Sequence, residues 1–247
     1  MKVVVAGGTG VIGRVVVENA RGRGHDVAVL SRGSGHDLRR SRIGLDDALA
    51  GAHAVLDLTN VVTLSARSAV RFTTGVTRRL LTAGARAGVG HHVALSVVGI
   101  DDIDAGYYAG KLAQERMVST GPVPWTIQRA AQVHEFAEQA LGFASVGSVS
   151  LVPRILARPV AAETVAERLV DVVEAGPQGR APDLVGPRDE VVADLARQWL
   201  AATGRRGRVV QVALPGAYGR GIASGALRGS PSAMGEGPDF REWLARR

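Results

Sequence analysis

The 247-residue chain has no cysteine, which excludes a disulfide framework, thiolate metal ligands and a cysteine nucleophile. Aromatic residues are only 4% of it, too few for the stacking platform on which single-stranded nucleic acids lie. No apolar run approaches the roughly 20 residues needed to span a bilayer, and the apolar start is too short and glycine-rich for a signal peptide. A cytoplasmic protein with no nucleic-acid and no membrane partner is expected. The six histidines form no metal-ligand pattern, and the one close pair, His91 and His92, reads as the entrance of a strand, so no metal is expected. Lysine is nearly missing as well. Only Lys2 and Lys111 occur, so the net charge of +7 is carried almost wholly by arginine. The arginines are scattered, and their densest cluster, Arg32, Arg39, Arg40 and Arg42, follows the second expected strand.

Glycine is what the chain has in plenty, and four of its 32 glycines stand in "KVVVAGGTGVIGR", Lys2 to Arg14. A strand interior gains nothing from so many glycines, so they serve the connection after Val5. Gly8-x-Gly10-x-x-Gly13 has the dinucleotide-binding spacing: one glycine for the tight turn, one to admit a pyrophosphate, one to let the helix press on the strand. The helix that follows points its free N–H groups at phosphate. It ends in glycine and leads to a second strand, "DVAVL", completing the context that the motif requires.

Strands alternate with helical patterns over the first 130 residues, the signature of parallel βαβ units. Strands are expected near 2–6, 27–31, 54–58, 91–96 and 124–129, with helices near 11–22, 65–88 and 107–120. The third strand of such a fold should fall between Gly33 and Asp46, where "GSGHDLRRSRIGLDD" offers no apolar run. Asp57 falls near the end of the next strand, with Thr59 and Asn60 just outside it. Beyond Arg129 the pattern is less regular: helices are read in "EFAEQALGFA", "ETVAERLVDVVEAG" and "VVADLARQWLAATG", short strands in "RILARPV", "PDLVG" and "RVVQVAL", and a terminal helix in "DFREWLARR". Pro215 to Pro238 reads as a mobile loop or weak helix. The expected fold is α/β, a Rossmann-like doubly wound parallel sheet: residues 1–130 as a dinucleotide-binding core, and 131–247 as a smaller substrate-binding part packed on the same domain.

The strand "HHVALSVVG" carries Ser96 at its carboxyl end, where open α/β sheets bind ligands. Eleven residues on, "YYAGK" places Tyr107 and Lys111 four apart, hence on one helix face. A lysine there lowers the tyrosine pKa and can hold the nicotinamide ribose. Tyr107 could then protonate a carbonyl oxygen that Ser96 fixes by a hydrogen bond.

These segments, with "LSVVGIDD", "VPWTIQRAAQVHEF" and "GPDFREWLAR", resemble an atypical short-chain dehydrogenase/reductase of the NmrA-like, NAD(P)H-binding family. The resemblance covers most of the chain. It implies that Gly7, Gly10 and Gly13, with Thr9, Val11 and Ile12 alongside, hold the pyrophosphate, and that Ser96, Tyr107 and Lys111 are the catalytic set, with Thr59, Asn60 and Lys111 also on the cofactor. The helix from Ser65 to Gly88 has no Asn to match the fourth catalytic residue of other members. Cofactor choice is read from the end of the second strand, "VLSRG". NAD readers keep an acid there and NADP readers an Arg; here Ser31 and Arg32 replace the acid, and Arg pairs with phosphate in a bidentate fork, so NADP(H) is expected. The expected function is NADPH-dependent reduction of a carbonyl or conjugated double bond of a small, fairly apolar substrate, and a homodimer is compatible with it. Two alternatives stay open: a non-enzymatic NADP(H) sensor, and a dehydratase or epimerase using the same Tyr and Lys.

Overall fold

The computed structural model describes residues 1–40 and 44–247. In chain order the strands and helices are β1 (Lys2–Ala6), α1 (Val11–Gly22), β2 (Asp26–Leu30), α2 (Leu45–Leu49), β3 (Ala54–Asp57), α3 (Ala66–Arg86), β4 (His91–Val97), α4 (Gly106–Ser119), β5 (Trp125–Ala130), α5 (Phe136–Leu141), β6 (Ser145–Val146), β7 (Val149–Pro153), β8 (Leu156–Ala157), α6 (Ala162–Ala175), β9 (Gly179–Arg180), β10 (Glu190–Val191), α7 (Val192–Ala202), β11 (Arg208–Val212), α8 (Gly216–Ala223) and α9 (Phe240–Leu244). They form two compact units, each discontinuous in sequence. The first comprises Met1–Ser96, Ala105–Arg129 and Val165–Pro182; the second comprises Val97–Asp104, Ala130–Thr164 and Asp183–Arg247.

The first unit is built on a six-stranded sheet in the order β2-β1-β3-β4-β5-β9. β1 runs parallel to both β2 and β3, β3 to β4, and β5 to β9. Val3, Val4 and Val5 are buried on both faces of β1, which is why that strand reads as an unbroken apolar run rather than an alternating one. In α1 the buried residues Gly13, Val16, Val17 and Ala20 recur at helical spacing and give it one core face. The end of α1 is tied to α6 by ion pairs from Arg23 to Asp171 at 2.6 Å and to Glu174 at 3.1 Å.

The close approach of α3 to α4 depends on Gly110. A Cβ there would lie 2.9 Å from the Ala69 backbone, and the same contact lets Thr73 Oγ1 donate to the Gly110 carbonyl at 2.9 Å. The glycine inside "YYAGK" thus sets how near the helix bearing Tyr107 and Lys111 comes to its neighbour.

The parallel α/β architecture is the expected one, and the expected strands and helices of the first 130 residues agree with it to within two residues. β2 is the edge of the sheet: among the described residues no strand lies beyond it. The expected third-strand segment, 33–46, holds the end of a 3-10 turn (Arg32–Ser34) and the start of α2; its residues 41–43, including Arg42, lie outside the described residues. Ser31 caps the 3-10 turn reciprocally with Ser34, so the chain turns away after β2 instead of pairing again.

The second unit contains a three-stranded sheet in the order β11-β7-β6 and the antiparallel pair β8–β10. One core cluster joins Ala137, Ala161, Leu195, Phe240 and Trp243, with Trp199 and Leu244 against it. The His134 ring packs edge-on to Phe240 at 5.5 Å. Between Pro215 and Pro238, read from the sequence as a loop or weak helix, the chain forms α8 and a 3-10 turn, Ala226–Arg228, anchored by the buried Ile222 and Leu227. Among the described residues no helix is long and apolar enough to cross a membrane.

Candidate cofactor site

β1 delivers the chain to the glycine turn. Gly7 takes φ +85°, a left-handed conformation that L side chains rarely adopt, and a Cβ there would sit 2.8 Å from the Leu58 carbonyl oxygen. The turn closes with Gly7 N donating to Leu30 O and Gly10 N donating to Gly7 O, each at 3.0 Å. α1 then passes so close that a Cβ on Gly13 would fall 2.2 Å from Gly7 O. Gly10 caps α1 without any side chain, leaving the first-turn N–H groups open to an anion.

Beside this turn lies a cavity of about 470 Å³, in the size range of small-ligand sites. It opens at the carboxyl ends of β1, β2 and β3. Of the sequence-predicted cofactor residues, Gly7, Thr9, Gly10, Ser31, Arg32, Thr59 and Asn60 line it. Val11, Ile12 and Gly13 occupy the first turn of α1 and are not among its lining. The wall also includes Arg39, from the arginine cluster noted after the second strand, and residues not singled out from the sequence: His36, Asp37 and Leu38 after the 3-10 turn, Val61 and Val62 after β3, and Phe72 and Val76 on α3. Asp37 is gripped by Arg39, whose Nε and guanidinium NH2 each lie 3.0 Å from its carboxylate. That fork holds the Asp37 carboxyl down to about 2, so it stays ionised with its charge answered. A left-handed glycine, an uncapped helix and a cavity between them fit the diphosphate and adenosine parts of a dinucleotide.

The three residues expected to carry chemistry sit on β4 and α4. Ser96 is buried near the end of β4; its Oγ completes no hydrogen bond of good geometry, yet it is close enough to help hold the Glu115 carboxyl down. Tyr107 is half-buried on the first turn of α4, its ring edge-on to Tyr108 at 5.2 Å. Lys111, one turn on, is enclosed. Its ammonium donates to Leu95 O and to Gln114 Oε1, both at 2.8 Å. Burial pushes its pKa from 10.5 to about 8, against the opposing pull of Asp57 and Glu115. The structure therefore brings Lys111 against the β4 backbone next to Ser96, and places Tyr107 one turn before Lys111 on the same helix.

Beneath the cavity these groups join a buried polar network. Asp57 is fully buried and accepts from Thr59 N at 3.1 Å, Thr59 Oγ1 at 2.6 Å, Thr77 Oγ1 at 2.9 Å and Gln114 Nε2 at 2.9 Å. A continuous path of hydrogen bonds runs from Lys111 through Gln114 and Asp57 to Thr59 on the cavity wall. Next to it Glu115 takes a fork from Arg129, with both contacts at 2.8 Å, and a third bond from Arg180 at 2.9 Å. Burial would raise the Glu115 carboxyl, but Arg129, with Ser96 and Arg180, more than offsets it and keeps the acid below its usual range. Gln114 and Glu115 stand three and four residues after Lys111, a spacing that shares its helix face and could have marked them in the sequence. Thr77 left no such signal. Among the described residues no group of three His, Cys, Asp or Glu could hold a metal ion.

No protein-family model matches the chain, and no curated protein sequence is similar to it. Solved structures share its fold. A NAD-dependent NDP-hexosamine 5,6-dehydratase, TunA, from tunicamycin biosynthesis superposes with a TM-score of 0.74 at 15% identity, over 99% of this chain and 95% of that one. The NADPH complex of an NADPH-dependent quinone oxidoreductase, QOR2, from Escherichia coli gives 0.70 at 16% identity, over 99% of both. The Thermus thermophilus UDP-glucose 4-epimerase complex with NAD gives 0.66 at 19% identity, over 85% of this chain and 86% of that one. At these identities the similarity establishes the fold, a Rossmann-like α/β fold that also occurs in NAD(P)-dependent enzymes of the short-chain dehydrogenase/reductase type.

Proposed function

We propose that the protein is an NADPH-dependent oxidoreductase that reduces a carbonyl or conjugated double bond of a small, fairly apolar molecule. The observation that carries this reading is the cavity at the glycine turn, with Arg32 rather than an acid at the end of β2. Asp26, the one acid on that strand, stands at its opposite end. Gly7 and Gly10 would face the diphosphate, Ser31 and Arg32 the ribose phosphate, and Thr59 and Asn60 the next part of the dinucleotide. When bound, such a cofactor supplies a hydride. Tyr107 supplies the proton to the substrate oxygen, with Lys111 one turn away on the same helix. Ser96 orients that oxygen from the end of β4.

The test is Tyr107→Phe. It should keep NADPH affinity and lose roughly 100-fold or more in turnover of whichever ketone, quinone or enone the wild type reduces, the contribution of a positioned proton donor. Turnover that survives the substitution unchanged rules out Tyr107 as donor and leaves direct hydride transfer to an acceptor such as a quinone. One observation favours a second reading, a non-enzymatic NADP(H) sensor: both hydrogen bonds of the Lys111 ammonium are made inside the fold. A chain that binds NADPH but oxidises it with none of a set of ketones, quinones and enones would support that reading.

A further inference from the structure

The cofactor cavity does not end at Arg39 and Phe72. The same two residues begin a groove of about 450 Å³ along one face of α3, lined further by Ser68, Arg71, Arg78 and Arg79. The chemistry of this face is one-sided: α3 carries five arginines in 21 residues, and neither Asp nor Glu. Arg79 is half-buried, donating to the Leu38 carbonyl at 3.0 Å and to Gly75 O at 2.9 Å; it clamps the segment bearing Asp37 to Arg40 against the helix and so builds the opposite wall. Arg71 and Arg78 are exposed, and among the described residues neither is in an ion pair. Elsewhere arginines at comparable exposure find carboxylates: Arg205 pairs with Glu138 and Arg228 with Asp189. Among the described residues the groove's lining holds no acid, and Asp37, which lines the adjoining cavity, is already held by Arg39. Ser68 and Arg71 also lie in the first two turns of α3, the positive end of the helix dipole.

We propose that this groove is a phosphate-binding extension of the cofactor cavity, and that Ser68, Arg71 and Arg78 receive the phosphate ester carried by the adenosine ribose of an NADP-type dinucleotide. The proposal rests on the reading of the adjoining cavity as a dinucleotide site. It assigns cofactor discrimination to a helix far in sequence from the second strand, with Arg32 as one contributor and the α3 arginines as the others. Two guanidinium groups in no ion pair among the described residues match a dianionic phosphate in charge and in the geometry of paired N–H donors.

Calorimetric titration of the full chain with NADPH and with NADH, at one stated salt concentration, tests it. Arg71→Ala combined with Arg78→Ala should weaken NADPH by roughly tenfold or more and move NADH by less than about twofold, a discrimination of the size expected for lost charge-assisted bonds. Both substitutions are at exposed positions, so the fold should be retained, which far-ultraviolet circular dichroism checks. Arg116→Ala, on the exposed part of α4, removes the same charge away from the groove and should leave both affinities alone. Equal losses for NADPH and NADH, a loss matched by Arg116→Ala, or no loss at all would each overturn the groove assignment while leaving the cavity a dinucleotide site. Wild-type protein that binds neither dinucleotide would instead overturn the function proposed above, and this inference with it.

Discussion

Around Lys111 the buried charges are answered within the fold. Asp57 takes four hydrogen bonds, Glu115 takes three, and the Lys111 ammonium is bonded to Leu95 and Gln114. Along Arg32 to Arg40 and the α3 face most charges are exposed, and Arg71 and Arg78 have no ion-pair partner among the described residues. The same unit thus holds one polar region completed within the fold and another whose donors remain open. A completed network stabilises, and removing one partner leaves buried groups orphaned. Open arginines contribute little to stability but are available to an anionic ligand. Mutations in the first region should therefore read out in folding, and those in the second in binding.

Asp57→Ala should give the largest effect. It strips an acceptor from Thr59, Thr77 and Gln114 and removes a countercharge from buried Lys111, so a loss of about 3–5 kcal/mol is expected in urea denaturation. Asp37→Ala, which removes a solvent-accessible carboxylate held by Arg39 and near Arg40, should leave the unfolding midpoint where it was. Similar losses from the two would erase the distinction drawn between the regions.

Gly10→Val separates folding from binding within a single turn. At Gly10 a Cβ would meet nothing closer than Gly7 O at 3.4 Å, and φ is −74°, so the fold should survive. The added branches would stand over the open end of α1, and nucleotide binding should be abolished. Gly13→Val, where the Cβ would fall 2.2 Å from Gly7 O, should instead cost folding itself. A Gly10→Val protein that folds and binds NADPH normally would place the cofactor elsewhere.

Much of this was legible in the sequence. The apolar run of β1, the glycine turn and α1 follow from local rules: a buried parallel strand needs no alternation, and the helix face repeats at three and four residues. Gly7, Thr9 and Gly10, with Ser31, Arg32, Thr59 and Asn60, line one cavity because each follows the carboxyl end of a strand in the same sheet. The Asp57 network was not legible, since its members at 57, 77 and 114 come from three elements that only tertiary packing brings together. Arg39 stood out in the arginine cluster, but Asp37 escaped for a related reason: the segment after β2 carries no periodicity, and its position is set by Arg79 reaching across from α3. In 215–238 the glycines dilute the helical signal, and α8 is held by burial of Ile222 instead of by propensity.

The pH dependence of stability probes the enclosed region more gently. Lys111 has a folded pKa of about 8, depressed by burial from 10.5. Between those two values the unfolded chain holds a proton that the folded chain has released, so stability should rise with pH through this window. Below pH 8 both states are protonated and the burial penalty is fully present. The gain should be about 2–3 kcal/mol by pH 10.5, as follows from roughly 1.4 kcal/mol per pKa unit. Denaturation at pH 7.5, 9 and 10.5 should show a steeper rise for the wild type than for Lys111→Met, in which all other titrating groups are kept. Parallel curves would mean that the lysine does not titrate in this range.

The smallest expected effect belongs to the open region, at Arg32. Its side chain is exposed and lines the cavity, while the turn that carries it is held by other groups: Ser31 Oγ accepts from Ser34 N at 3.2 Å, and Ser34 Oγ donates to Val29 O at 2.9 Å. Arg32→Ala should therefore leave the backbone and the unfolding midpoint unchanged. What it removes is one guanidinium from the cavity wall. In the wild type NADPH should bind at least roughly tenfold more tightly than NADH, a difference of about 1.4 kcal/mol. The substitution should shrink that ratio several-fold without abolishing it, because the α3 arginines remain. Arg32→Lys should recover only part of the loss, since an ammonium keeps the charge but not the planar fork. Titration of the three proteins with both dinucleotides decides the matter. Equal wild-type affinities would remove the case for NADPH, whereas a matched weakening of NADH and NADPH by Arg32→Ala would place the guanidinium on a part that the two cofactors share.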